Sequence, residues 1–317
     1  MSRRKKGQKV DGWVILDKPA GITSTQAVAV VRRLFDAQKA GHGGTLDPLA
    51  TGILPIALGE ATKTVPYVMD GAKVYCFTLK FGEARATDDA EGAVIARSDV
   101  RPSDAAIMAA LSAFIGLIDQ VPPIFSAIKI AGERAYDLAR EGEKVELTAR
   151  KIRIDDFRLL ARPSPEEAVF EVRSGKGAYM RSLARDLAQH LGSVGHISAL
   201  RRLSVGGFSA DRAVSLDVLK DLISLDAREA VGHIPAAFKH LLPIETALDD
   251  IPALALSATE AICLRSGQPV GLLHRQDRDR LREFIPGGMV CAMSEGKIVA
   301  LTRYEGGELV PVRVINH

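Results

Sequence analysis

The chain has 317 residues, 47% of them hydrophobic and 26% charged, which is the composition of a globular protein with one large core and room for a smaller second unit. No apolar run approaches the about 20 residues that a membrane span needs, and the charged start MSRRKKGQKVDG has no apolar stretch behind it, so it does not read as a secretory signal. The net charge of +3 is concentrated: Arg3, Arg4, Lys5, Lys6 and Lys9 fall in the first ten residues, leaving 37 basic against 39 acidic residues, so a polyanion must be held by local patches and not by a global field.

Residues 1–10 are expected to be a basic, disordered tail. Gly12 to Leu16 then reads as a short apolar strand that stops at the turn Asp17-Lys18-Pro19-Ala20-Gly21. Thr23 or Ser24 can cap a helix whose apolar positions Val28, Val31, Leu34 and Phe35 recur at helical spacing. A loop of small residues follows, GHGGTLDPLA from Gly41 to Ala50, and leads into the apolar strand Ile53 to Leu58 and a short amphipathic segment from Glu60 to Val68.

Lys73 to Phe81 alternates as a sheet strand does, and Pro102 to Phe114 is a helix with Ser103 as its cap. The pattern then gives a strand at Ser126 to Ile130, a helix at Ala135 to Arg140, and strands at Arg150 to Leu160 and Val169 to Val172. Tyr179 to Leu191 is strongly amphipathic, and a strand lies around Ile197 to Leu203. Strands and helices do not alternate regularly, and no dinucleotide fingerprint follows the first strand. The expected class is therefore α+β, a mixed and largely antiparallel sheet with packed helices.

Beyond about residue 245 the texture changes. Pro243 and Pro252 flank an Asp-Asp turn, and short strands Met289 to Met293, Lys297 to Tyr304 and Leu309 to Val314 are joined by Ser294-Glu295-Gly296 and Glu305-Gly306-Gly307. Residues 11–245 are read as one domain and 250–317 as a small β-rich module. The cysteines Cys76, Cys263 and Cys291 are odd in number and far apart, as in reduced thiols of a cytoplasmic protein with neither a disulfide frame nor a zinc site.

Asp47 is the only acid in the small-residue loop. Asp-Pro pairs commonly cap their own turn, no Gly-Lys-Ser/Thr follows to make a phosphate cradle, and nothing local pairs His42 with a nucleophile. Four stretches in one order carry more. They are Leu16-Asp17-Lys18-Pro19-Ala20-Gly21, the whole of Gly41 to Lys63, Ser174-Gly175-Lys176-Gly177-Ala178-Tyr179-Met180-Arg181, and Leu200-Arg201-Arg202-Leu203.

With these the chain resembles the TruB-type tRNA pseudouridine synthases, which convert uridine 55 of the tRNA T arm. The resemblance spans about residues 10 to 210, and the C-terminal module is similar, more loosely, to PUA-like RNA-binding domains. It implies the pseudouridine synthase fold, Asp47 as the catalytic aspartate, Tyr75 as the aromatic residue stacked on the target base, and Arg181 as the ion-pair partner of Asp47. It also implies that His42 packs against the RNA near the flipped base and that Tyr179 and Leu200 are pocket walls. Ala178 and Met180 stand where the family usually has threonine and isoleucine or valine, and Ala86 where it often has an aspartate.

The implied reaction breaks the C1′–N1 bond, turns the uracil and rejoins it through C5, so it needs no cofactor and no metal. Flipping the base costs a few kcal/mol, and stacking on a ring returns about 1–3 kcal/mol. A carboxylate held away from water needs a guanidinium beside it to stay ionised. The partner implied is the tRNA T stem-loop, with no membrane, no obligate protein partner and a monomeric state. The basic clusters Arg150, Lys151, Arg153 and Arg201, Arg202 are the candidates for phosphate contact, and removal of residues 250–317 is expected to spare catalysis. The alternatives are a non-catalytic RNA-binding or RNA-folding protein, and a glycoside hydrolase with Asp88 or Asp89 as second carboxylate.

Overall fold

The computed structural model describes residues 7–126, 129–130, 133–134, 147–226, 236–272 and 284–316. Its centre is an 11-stranded mixed sheet. The main path runs Val214–Ser215, Gly12–Lys18, Thr51–Leu58, Gly195–Val205, Lys73–Phe81, Glu167–Ser174, Arg150–Ser164 and Gly116–Gln120. Most pairings are antiparallel. The 195–205 strand, however, runs parallel to the 51–58 strand, with Arg201 opposite Thr51 and Arg202 opposite Gly52.

That junction sits at the middle of the sheet, where the loop with Asp47 enters. Gly52 has φ 101°, and a Cβ there would lie 2.2 Å from the Arg202 carbonyl oxygen, so only glycine lets the two backbones approach this closely.

Three of the expected helices form where the pattern placed them. Thr23 caps Ser24–Leu34 in a reciprocal box with Gln26, and Ala27 and Val31 turn into the core. Ser103 caps Asp104–Leu111. Met180–His190 buries Met180, Leu183, Ala184, Leu187 and Ala188 against the sheet, with Tyr179 at its N-cap. The 60–68 segment is a 3-10 turn, Gly59–Lys63, and then a short helix, Val65–Asp70.

The sequence pattern missed several elements: the hairpin of Glu83–Arg85 with Val94–Arg97, the edge strand Gly116–Gln120, and the helix Leu216–Asp226. Of the expected 126–130 strand, Lys129–Ile130 is a strand and pairs Glu133–Arg134. The helix expected at 135–140 lies outside the described residues.

The C-terminal part carries a five-stranded sheet, ordered Ala253–Ala255, Met289–Ser294, Lys297–Glu305, Glu308–Val314 and Val270–Gly271. It also carries a helix the sequence reading did not place, Ala258–Arg265, capped by Ser257 and Glu260. This unit is not tethered loosely. Cys291, Ile298, Leu301 and Ile315 share one apolar core with Trp13, Ile15, Ile53, Ala57, Ala61 and Val68. The Lys63 ammonium donates to the Val314 carbonyl, and Glu60 accepts from the Asn316 N–H.

Candidate active site

Asp47 lies in a stretch with no helix or strand of its own, between Ala40–His42 and Thr51–Leu58. Irregular backbone inside a protein must find its hydrogen bonds elsewhere, and here every carbonyl from residue 44 to residue 48 is taken. Arg202 donates to Gly44 at 3.0 Å and to Thr45 at 3.3 Å. The Ser24 hydroxyl donates to the Leu46 carbonyl at 3.0 Å and accepts from the Leu46 N–H at 2.8 Å. The Asp47 carbonyl accepts from Ala50 N–H at 3.1 Å. Pro48 accepts from Gly21 N–H at 2.9 Å and from the Lys18 ammonium at 3.3 Å.

The loop is therefore clamped from the 12–18 strand, the first helix and the 195–205 strand together. The Asp47 carboxylate does not fold back on its own turn. It reaches Arg181, whose Nε lies 2.9 Å from Oδ2. The Nε–H is not aligned on that oxygen, so the contact is an ion pair and not a directed hydrogen bond. Arg181 is 5% exposed while the Asp47 side chain is 34% exposed, so the arginine is fixed inside and the carboxylate meets the surface.

Arg181 has three further partners: the carbonyl of Thr87 at 2.9 Å, that of Phe125 at 2.9 Å, and the buried carboxylate of Asp89 at 3.6 Å. Asp89 is in turn held by the Thr87 hydroxyl and the Glu91 N–H. Asp88, its neighbour, points elsewhere and pairs with Arg185 at 2.8 Å; burial still pushes its carboxyl above the usual range. The loop 85–92 does contact the site without an aspartate at Ala86, through Asp89 and the Thr87 carbonyl. The sequence had offered Asp89 only as a second carboxylate for the hydrolase alternative, not as a partner of Arg181.

Beneath the loop the interior is cationic. Lys18 is wholly buried and spends its ammonium on the carbonyls of Pro19, Ile22 and Pro48. Burial lowers its pKa to about 8, against the opposing pull of Asp47. Lys73 is also pulled to about 8 by burial, with Arg202 adding to the fall. The Arg202 guanidinium donates to Ile53, Thr45 and Gly44 carbonyls, and no ion pair joins it among the described residues. These fixed charges give the ground beneath the loop a positive potential.

The other expected residues gather around this centre. His42 accepts the Gly44 N–H on Nδ1 at 3.3 Å, and burial followed by the Arg202 charge keeps its pKa low, so it is neutral near pH 7. Tyr75 is paired with Arg202 across the ladder, and Phe77 with Leu200. Residues paired in this way project to the same side of a sheet, which puts Tyr75 and Leu200 on the face from which Arg202 rises. Leu200 is 8% exposed. Tyr179 senses Asp47 electrostatically, and burial raises its phenol above the usual value; the buried Ser126 hydroxyl lies beside it without an aligned hydrogen bond.

One expectation fails. Arg202 is 1% exposed and locked on carbonyls, which takes it out of reach of phosphate, while Arg201, its side chain 40% exposed, forms a bidentate pair with Asp17 at 3.0 and 2.8 Å. A guanidinium buried this deeply, with three of its five N–H groups on carbonyls, cannot reach an RNA backbone outside. Arg150, Lys151 and Arg153 are exposed on the strand beside the edge strand, the last two paired with Asp119 and Asp155.

Residues 32–180 match the family described as "TruB family pseudouridylate synthase (N terminal domain)", and residues 181–249 match "tRNA pseudouridylate synthase B C-terminal domain". The chain is 55% identical over 316 residues to tRNA pseudouridine synthase B of Rhodospirillum rubrum, covering 100% of both chains. It is 57% identical over 313 residues to that of Gluconacetobacter diazotrophicus, covering 99% of this chain and 100% of the relative. Among solved structures, "Structure of H/ACA RNP bound to a substrate RNA containing 2'-deoxyuridine" shares the fold with TM-score 0.74 at 21% identity, covering 100% of this chain and 92% of that one. "Crystal Structure of a Cbf5-Nop10-Gar1 Complex" does so with TM-score 0.70 at 24% identity, covering 96% and 84%. The chain belongs to the TruB family of pseudouridylate synthases.

Proposed function

We propose that this protein isomerises uridine 55 in the T arm of tRNA to pseudouridine, with Asp47 as the reacting carboxylate. The observation that carries the reading is the pairing of Asp47, one-third exposed on a loop whose carbonyls from 44 to 48 are all held, with a buried Arg181. A reaction that severs and remakes a bond to the same sugar needs one carboxylate fixed beside it and a guanidinium to keep it charged. Tyr75 stacks on the flipped uracil, Tyr179 and Leu200 enclose it, and neutral His42 packs against the RNA beside it. Enclosure holds the detached base between bond breaking and rejoining.

The family membership and the full-length relatives named tRNA pseudouridine synthase B support tRNA as the substrate. In the same proposal the protein acts as a cytoplasmic monomer, without a guide or obligate partner; no helix among the described residues is long and apolar enough to cross a membrane. Residues 11–245 form the catalytic domain and 250–317 a PUA-like RNA-binding unit docked on it. The test is to incubate the protein with an unmodified tRNA transcript and map pseudouridine. A C–C-linked nucleoside of unchanged mass is the expected product; a free base would favour a hydrolase, and an unaltered RNA a binding protein.

A further inference from the structure

Gln120 ends the edge strand Gly116–Gln120, and its side chain is 2% exposed. Its carboxamide is matched to a single residue. The Tyr179 N–H donates to Gln120 Oε1 at 2.8 Å, and Gln120 Nε2 donates to the Tyr179 carbonyl at 3.1 Å. One amide facing the N–H and C=O of one residue reproduces the pair of bonds that a neighbouring strand would make.

Tyr179 needs such a partner. It is the N-cap of Met180–His190, extended at φ −106° and ψ 114°, and its own side chain makes no capping hydrogen bond to the helix. An N-cap N–H finds no acceptor inside its own helix. The following residues fasten the same helix. The Phe125 carbonyl accepts from Arg181, and the Val121 carbonyl accepts from the Ser182 hydroxyl and from Arg185. Gln120 thus grips the backbone of the pocket wall, two residues ahead of the arginine that meets Asp47.

We infer that Gln120 is a positioning residue for the reaction. Its amide sets the place of Tyr179 in the pocket and, through the first helical turn, the direction from which Arg181 approaches Asp47. It touches neither RNA nor reacting atoms, and the inference rests on the reading of this site as one that isomerises uridine. A displacement of about 1 Å at such a site is enough to cost about a hundredfold in rate.

The test uses the full chain, a T stem-loop transcript at saturating enzyme, and two variants. Gln120→Met keeps the length and removes both bonds. It should lower the single-turnover rate about tenfold or more with RNA affinity unchanged. Q120E carries a built-in rescue. Protonated, the introduced carboxyl accepts from the Tyr179 N–H and donates to its carbonyl as the amide does; ionised, it loses the donor and sets a charge against that carbonyl. The rate of Q120E relative to wild type should therefore rise as pH falls from about 8 to about 5, across the range of a buried carboxyl.

A ratio that stays flat with pH, or a wild-type rate in Gln120→Met, overturns the inference. If Gln120→Met does not fold, the Q120E ratio alone decides. Fluorotyrosine NMR, with the Tyr179 signal assigned by Tyr179→Phe, gives a readout independent of turnover. A Tyr179 signal that moves with pH in Q120E, together with a wild type that makes no pseudouridine, removes the reaction reading and leaves the clamp. An active wild type with an unmoved signal removes the clamp.

Discussion

The carboxylate of Asp89 lies 3.6 Å from Nη1 of Arg181, the same guanidinium whose Nε meets Asp47. Arg181 is thus anchored by a buried acid and by two carbonyls before any substrate arrives. In the proposed reaction Asp47 turns to the sugar, and Asp89 would then keep the charge of Arg181 balanced in the interior, so that Asp47 exchanges partners without stranding a cation.

Asp47→Asn should abolish conversion while leaving tRNA affinity close to wild type, because phosphate contacts dominate RNA binding and a carboxylate makes none. Single-turnover conversion and binding measured side by side check this. Conversion within tenfold of wild type would remove Asp47 from the reaction.

Arg181→Lys should lose about a hundredfold or more in rate, since an ammonium lacks the planar fork that spans two carboxylates and two carbonyls at once. Asp89→Asn should lose less, about tenfold, because the amide oxygen can still accept from Thr87 and Glu91 while the charge behind Arg181 is gone. Equal losses in the two variants would mean that Asp89 does more than anchor the arginine.

Arg202→Met leaves the carbonyls of Ile53, Thr45 and Gly44 without their donor. Each buried carbonyl left unpaired costs about 1–3 kcal/mol, so a clear drop in the thermal midpoint is expected together with a slower turnover as the Asp47 loop loosens. Gly52→Ala should be as damaging, through its 2.2 Å clash with the Arg202 backbone. Calorimetry on both variants is the measurement, and an unchanged midpoint for either would show that the junction relaxes freely.

The buried lysines give stability a definite pH dependence. Lys73 and Lys18 each have a folded pKa of about 8 against 10.5 for a free lysine. Between those values the unfolded chain binds more protons than the folded one, so this contribution to stability rises with pH from about 8 and levels off above about 10.5. Wild type should therefore gain on Lys73→Met in urea midpoint between about pH 7.5 and pH 9.5. A difference that stays constant over that window would place the Lys73 pKa outside it.

Deleting residues 250–317 would strip the cover from Trp13, Ile15, Ile53 and Ala57, which share a core with Cys291, Ile298, Leu301 and Ile315. The expectation from sequence, that catalysis survives the deletion, does not suit this packing. The truncated chain should be insoluble or lose its cooperative thermal transition. A soluble truncation with full stem-loop activity would show that the shared core is dispensable.

The local pattern of this chain determined much by itself. Alternation over residues 73–81, the Thr23 and Ser103 caps and the amphipathic helix after Tyr179 are short-range features, set by residues within a turn or two of one another. The motif around Asp47 and the pairing with Arg181 were legible because both sit in long, specific stretches. Tertiary structure decided the rest. Asp89 joins Arg181 across 92 residues, Gln120 grips Tyr179 across 59, and Arg202 reaches Gly44 across 158, each contact tying a loop or helix start to a segment that comes beside it only in the finished fold. The same closure turned Arg202 from an apparent phosphate ligand into an internal strut and paired the exposed Arg201 with Asp17. Charge type can be read along a chain; whether a charge faces water or a buried carbonyl depends on which segments of the sheet come to lie beside it.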